Sequence, residues 1–400
     1  MLNLTLPAPL CGAEHGTFAE DTIVRRLPGI ARQVLAENTW QPAQQERLEA
    51  LIAEIPHAPL RRLRDVTAPD VRAWNRALPR LAGKDWLETP WFVAEMYFFR
   101  RILEATGYYQ PGTGLGQDPY ALQKQQGLAG CLPAVRAAAE RAQPWLAKPA
   151  AGSLAQMLKL SLWANQVDLS LWPAGKAERP DHASWQHGEA FLLCDQAAEA
   201  AAHLTCQPPG RIDVLVDNAG QELAFDLLLA DFLLTSRAAR RVRLHLKPHP
   251  TYVSDATPPD VREAVAAFHG QTGALGGLGG RLEAHLDSGR LQLSTDYFWT
   301  LPYAAWEMPS RLQRSLKRAR RVILKGDANY RRLVGDRHWA FDTPFAQIVG
   351  YFPAPLLALR VSKSEVMAGL APGQAEAVSR KDPAWLTNGK WGLIQFSQRP

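Results

Sequence analysis

The sequence predicts an α/β protein, with a helical domain first and then a domain built on a mostly parallel sheet covered by helices on both faces. Three observations carry this. At 400 residues the chain exceeds the usual size of one hydrophobic core. Strand-like runs are scarce before residue 210. After Pro208-Pro209-Gly210, short runs of β-branched residues and leucine alternate with helical segments, the pattern of βα units.

In the first part, Thr89 reads as an N-cap and Pro90 as the first helical residue, where a missing N–H costs nothing. From there Trp91, Phe92, Met96, Phe99 and Leu103 recur at threes and fours, as one buried helical stripe requires, and Gly107 ends the run. Similar periodicity predicts helices at Gln44 to Ile55, Leu154 to Leu162 and Glu189 to Leu204. Strands are expected at Ile212 to Val216, Val242 to Leu246, Leu291 to Leu293, Val322 to Leu324, Leu356 to Val361 and Trp391 to Phe396. Between them, helices are expected at Glu222 to Leu234, Asp260 to Phe268, Arg311 to Arg318 and Ser364 to Leu370. The glycine-rich run Gly273 to Gly280 lacks dinucleotide-binding spacing and reads as a flexible loop. This gives a helical domain over residues 1–185 and an α/β domain over 186–400.

Composition removes several classes. Hydrophobic residues make up 46% and charged residues 21%, so neither a disordered nor a fibrous chain fits. No apolar run approaches the roughly 18 residues of a spanning helix. The N-terminus has no basic residue before its apolar stretch and is interrupted by Pro7 and Pro9, a poor signal peptide. Four scattered cysteines read as free thiols in a reducing compartment, so a cytoplasmic protein without a membrane partner is expected. The balance of 45 basic against 39 acidic residues, +6, permits an anionic ligand without requiring one. The basic stretch from Arg311 to Arg321 reads as a solvated helix face, and no nucleic-acid partner is expected. His245 and His249 are separated by Pro248, which denies them the shared helix of a two-histidine zinc site.

In open α/β sheets, ligands gather beyond the carboxyl ends of the strands. At those ends stand Asp217-Asn218-Ala219-Gly220 with Glu222; Lys247 followed by Thr251, Ser254 and Asp255; Lys325-Gly326-Asp327-Ala328-Asn329; and Arg360 with Lys363. Asp217, Asn218 and Asp255 are hard oxygen donors of the kind that suit Mg²⁺ or Mn²⁺, and Lys325 and Lys363 add positive charge. Together they point to phosphoryl chemistry, in which catalysis is mostly positioning and charge stabilisation. Asp-Asn after a strand is also ordinary turn chemistry, and each lysine taken alone reads as a solvated side chain.

The blocks Asp217 to Leu223, Tyr252 to Asp255 and Lys325 to Leu333 resemble the signature blocks of the damage-control phosphatase family, in its protein-glutamate methyltransferase-like (acidic-residue methyltransferase) branch. Supporting blocks are Pro90-Trp91-Phe92 through Ile102, Asp118-Pro119-Tyr120 with Lys124, and Leu162 to Asn165 with Asp168 to Ser170. The resemblance implies a helical N-terminal part and a three-layer α/β/α, Rossmann-like C-terminal part. It implies a divalent cofactor, Mn²⁺, Ni²⁺, Co²⁺ or Mg²⁺, held by Asp217, Asn218 and Asp255. It implies a substrate held by Asp217, Asn218, Lys325, Gly326, Asp327, Asn329 and Lys363, with Glu222 and Asp255 matching positions assigned to S-adenosylmethionine. The expected activity is metal-dependent hydrolysis of sugar phosphates such as fructose 1-phosphate, with Asp217 and Asp255 catalytic and the nucleophile either water or an aspartate. The alternative activity is S-adenosylmethionine-dependent protein-glutamate methylation. The branch's Arg-Thr-x-Lys pattern appears here as Arg360-Val361-Ser362-Lys363, with valine at the hydroxyl position. Asn165 and Asp168 are expected either to support the site or to cap and bridge helices.

Overall fold

The computed structural model describes residues 4–164 and 189–398, and shows an α/β protein with N-terminal helices and a mostly parallel seven-stranded sheet. The strands are β1 (Leu192–Asp195), β2 (Gly210–Leu215), β3 (Ala239–Leu246), β4 (Leu291–Thr295), β5 (Arg321–Lys325), β6 (Leu356–Val361) and β7 (Gly392–Ser397). Their spatial order is β1-β7-β6-β5-β2-β3-β4. Every pair is parallel except β6 with β7.

Alternation along the strands sends side chains to two separate cores. Val322, Leu324, Leu356, Ala358 and Leu393 join the core that also buries Leu27, Leu48, Trp74, Trp91 and Tyr97 of the N-terminal helices. Their neighbours Ile323, Leu357, Leu359 and Ile394 face the opposite core, built with Val135, Leu158, Leu227 and Val261. Each core therefore draws on residues from before and after the expected boundary at 185/186. That boundary lies outside the described residues, as do Asn165 and Asp168.

The chain runs outward from β2 through β3 to β4, then returns to lay β5 on the other side of β2. Strand order thus reverses between β2 and β5. At such a reversal the two following loops diverge and leave a crevice beyond the strand ends. The Asp217 turn follows β2, and Lys325-Gly326-Asp327 ends β5, so both open onto that crevice.

Four local expectations are corrected. Glu189 to Leu204 is not one helix: β1 comes first, and the helix Ala197–Thr205 follows. The short edge strand merges in sequence with the alanine-rich run behind it, and Asp195 Oδ1 caps Ala197 N at 3.1 Å. Gly273 to Gly280 is helical, within Gly273–Asp287, because Leu275, Leu278 and Leu282 bury one stripe. A β-carbon on Gly279 would collide with the His269 backbone, so glycine permits the close approach of the preceding helix. Ser364 to Leu370 is not a helix: Arg360 takes the Val366 carbonyl and Gln395 the Ala368 carbonyl, which replaces a helical ladder with side-chain bonds. Finally, Pro90 rather than Thr89 holds the N-cap position of Trp91–Thr106, and Gly107 ends it in the left-handed region at φ 75°. No helix among the described residues is long and apolar enough to cross a membrane.

Candidate active site

Backbone pairing, not side-chain attraction, brings the two catalytic candidates together. Asn218 and Asp255 form an isolated antiparallel bridge. Ala256 N donates to Asp217 O at 2.8 Å, and Ala219 N donates to Ser254 O at 2.6 Å. The 251–255 loop is held in an unusual shape, with Tyr252 at φ 45° and the β-branched Val253 at φ 64°. Such values persist only where surrounding packing enforces them. The enforcing contact is Tyr252, whose ring lies 4.9 Å from that of Phe99 and whose hydroxyl donates to Glu95 at 3.4 Å. A helix of the N-terminal part thus fixes the loop that carries Asp255.

Both carboxylates are buried, Asp217 at 4% and Asp255 at 1% exposure. Burial pushes the Asp217 carboxyl well up, and the nearby charges of Asp255 and Glu222 push it further, against Lys247 and Lys363. Burial also raises Asp255, while Lys247, with Nζ 3.0 Å from Asp255 Oδ2, works against the rise. Asn218 lies between: its Oδ1 accepts from the Ser254 hydroxyl at 2.6 Å, and its Nδ2 donates to Glu222 at 2.9 Å.

The β5 end supplies the opposite wall. Gly326, at φ 80°, lies against Asp217 so closely that a β-carbon there would collide with the Asp217 carboxylate. Asn329 Nδ2 donates to Val216 O at 3.1 Å, Lys325 O at 2.9 Å and Asp217 Oδ1 at 3.4 Å, tying β2 to β5 behind the carboxylate. Asp327 accepts from Arg360 Nε at 2.7 Å, the Ser364 hydroxyl at 3.0 Å and Lys363 N at 3.2 Å. Burial raises its carboxyl, but Arg360 and Arg331 outweigh this and the net direction is downward. Lys363 is exposed, and its charge reaches Asp217. Val361 faces the apolar core, whereas Ser362 donates to Leu386 O at 2.7 Å, away from the site. Sequence-expected residues 217, 218, 222, 255, 325–327, 329 and 363 therefore share one crevice.

Asp255 Oδ1 has no hydrogen-bond partner, Oδ2 has the Lys247 ammonium at 3.0 Å, and Asp217 carries repulsion that a cation between the two carboxylates would relieve. Two buried carboxylates and an amide oxygen suit a hard cation that keeps other ligands from solvent or substrate. Among the described residues no group of three His, Cys, Asp or Glu side chains is placed to hold a metal ion. His245 and His249 are occupied elsewhere: His245 Nε2 lies 3.0 Å from Asp213, and His249 Nδ1 meets the Pro250 carbonyl at 3.0 Å. The helices Gln221–Thr235 and Asp327–Val334 both begin at the crevice, and their first backbone N–H groups favour an anion.

Comparison with known proteins decides the lineage. Residues 22–378 match the model of the damage-control phosphatase ARMT1-like domain. The chain belongs to the damage-control phosphatase ARMT1-like family. It is 30% identical to damage-control phosphatase ARMT1 of Danio rerio, over 98% of this chain and 97% of that one. The Rattus norvegicus protein of the same name is 32% identical over 98% of each chain, and that of Homo sapiens 30% over 98% of each. A crystal structure of a DUF89 family protein from Pyrococcus horikoshii aligns with 93% of this chain and 96% of its own at 13% identity, with a TM-score of 0.49.

In this member of the damage-control phosphatase family, the sequence reading missed several residues around the crevice. Ser161 and Asp226 both contact Lys325, and Ser364 bonds Asp327, whereas Lys247, already placed at its strand end by the sequence, pairs with Asp255. Ser161 and Asp226 sit inside helices whose periodicity signals only packing. Asp226 did carry a signal, a carboxylate within the apolar run Leu223 to Leu234, where an unpaired charge would be costly.

Proposed function

We propose that the protein is a metal-dependent phosphatase that hydrolyses phosphate monoesters of sugar phosphates resembling fructose 1-phosphate, or of related phosphometabolites. The observation that carries this reading is the pairing of buried Asp217 and Asp255 across the Asn218–Asp255 bridge, at the reversal of strand order. Asp217, Asn218 and Asp255 would hold the divalent ion, which supplies Lewis-acid charge to the phosphoryl group. Lys325 and Lys363 offset negative charge on the phosphoryl oxygens, and the amides opening the Asp327–Val334 helix orient the group. Gly326 and Asn329 fix the direction of Asp217. The buried position of the acids excludes bulk water, which strengthens each of these charge interactions.

The test is a phosphate-release screen over sugar phosphates with and without Mn²⁺, Ni²⁺, Co²⁺ or Mg²⁺, run beside a methyl-transfer assay with labelled S-adenosylmethionine. Metal-dependent release that disappears in Asp217→Ala and Asp255→Ala is expected. Full turnover in either variant, or methyl transfer without phosphate release, would replace this reading.

A further inference from the structure

Lys325 is 1% exposed, and its ammonium is held from three directions. Nζ donates to Ser161 O at 2.6 Å and to Ser161 Oγ at 2.8 Å, and lies 2.8 Å from Asp226 Oδ1. These partners account for all three N–H bonds of an ammonium group. The Ser161 hydroxyl also donates to Asp226 Oδ1 at 2.7 Å, so the two anchors brace each other. Glu222 Oε1 stands 3.7 Å from Nζ, and the other oxygen of Glu222 accepts from Asn218. The cluster therefore connects with the candidate metal ligands through one carboxylate.

The anchors come from separate elements. Ser161 lies in the last turn of the helix Ala151–Leu162, and Asp226 lies in the second turn of Gln221–Thr235. A lysine on a four-carbon stem has large rotamer freedom, and a charge that must first be oriented contributes less to a transition state than one already in place.

We propose that Ser161 and Asp226 are positioning residues that hold the Lys325 ammonium stationary beside the Asp217–Asn218 turn, so that Lys325 serves a bound phosphoryl group as a fixed positive charge. The inference rests on the phosphatase reading for its catalytic consequence, though not for the placement of the lysine. Loss of either anchor frees the ammonium to move, which lowers turnover more than ground-state binding.

Two readouts separate the parts. Acetylation of individual lysines by an amine-reactive ester, followed by mass spectrometry, reports the placement without any activity. Lys325 should react at least tenfold faster in Ser161→Ala and Asp226→Asn than in the wild type, while Lys124 and Lys247 remain slow. In metal-loaded enzyme, kcat should fall at least tenfold with KM changed less than threefold, and Ser161→Thr should recover most of the loss. Unchanged Lys325 labelling in both variants, acceleration shared by Lys124 and Lys247, or kcat within twofold of wild type would each overturn the proposal. A wild-type protein that releases no phosphate would remove the phosphatase reading, while the labelling would still decide the placement.

Discussion

Gly326 and Asp217 share a space that holds only one side chain: a β-carbon at position 326 would collide with the Asp217 carboxylate. Gly326→Ala must also adopt φ 80°, a region costly for any residue with a β-carbon. This variant should lose about 1–3 kcal/mol of stability. It should also lose at least about a hundredfold in phosphate release, the scale expected when a reacting group is misplaced by an ångström. Urea unfolding and steady-state kinetics on one preparation measure both.

Asp217 trades stability for charge. Its carboxyl is raised by burial and by Asp255 and Glu222, so the folded protein retains that proton to higher pH than the unfolded chain. Stability contributed by the protonated form is present at low pH and is lost as pH rises through the folded value. Asp217→Asn should therefore raise the thermal midpoint of metal-free protein at neutral pH while abolishing activity. A lower midpoint for the variant in EDTA would contradict this.

A bound divalent ion should reverse that order. At a hundred times its Kd, a ligand specific for the folded state adds about 2.7 kcal/mol. Mn²⁺ should raise the wild-type midpoint by several degrees and leave Asp217→Asn and Asp255→Asn unmoved. Differential scanning fluorimetry across a metal titration provides the measurement.

Arg100 is fully buried between Asp65 and Asp70, each 2.8 Å from it. Burial raises the Asp70 carboxyl, but His249 and Arg100 prevail and hold it down at about 2, below the ordinary aspartate value of 3.8. The stability this confers is present above pH 4 and vanishes as pH falls toward 2. The stability gap between wild type and Asp70→Asn should accordingly shrink by about 2 kcal/mol over that interval. Chemical unfolding of both proteins at pH 5, 4, 3 and 2 measures it.

Val253 at φ 64° should tolerate glycine without loss of stability, since relief of about 1 kcal/mol of backbone strain offsets the lost side chain. The same change loosens the segment before Asp255, so Val253→Gly should keep its thermal midpoint and lose kcat.

Much of this was legible in the sequence. β-branched runs bounded by turn residues located six strands, because a buried parallel strand has to be apolar on both faces. The residues of the crevice stood just beyond those strands, and the family resemblance marked them. Other features escaped because their signals are tertiary. β1 is four residues long and depends on β7 for its pairing. The helix over Gly273–Asp287 forms because its leucines have a core to enter, despite glycines that disfavour it. Ser161 and Asp226 are set by a lysine more than a hundred residues away from Ser161 in sequence.

The order of the sheet also sets a timetable for synthesis. β7 lies between β1 and β6, so β1 has no neighbour in the sheet until β7 has been made. The N-terminal helices likewise wait for β5 and β6 before the apolar surface they share with those strands can close. At roughly 5–20 residues per second on the ribosome, translating the roughly 200 residues between them leaves that surface uncovered for about 10–40 s. Nascent chains should therefore be captured by holding chaperones until β7 emerges, and truncation before Gly392 should yield aggregate rather than a trimmed protein.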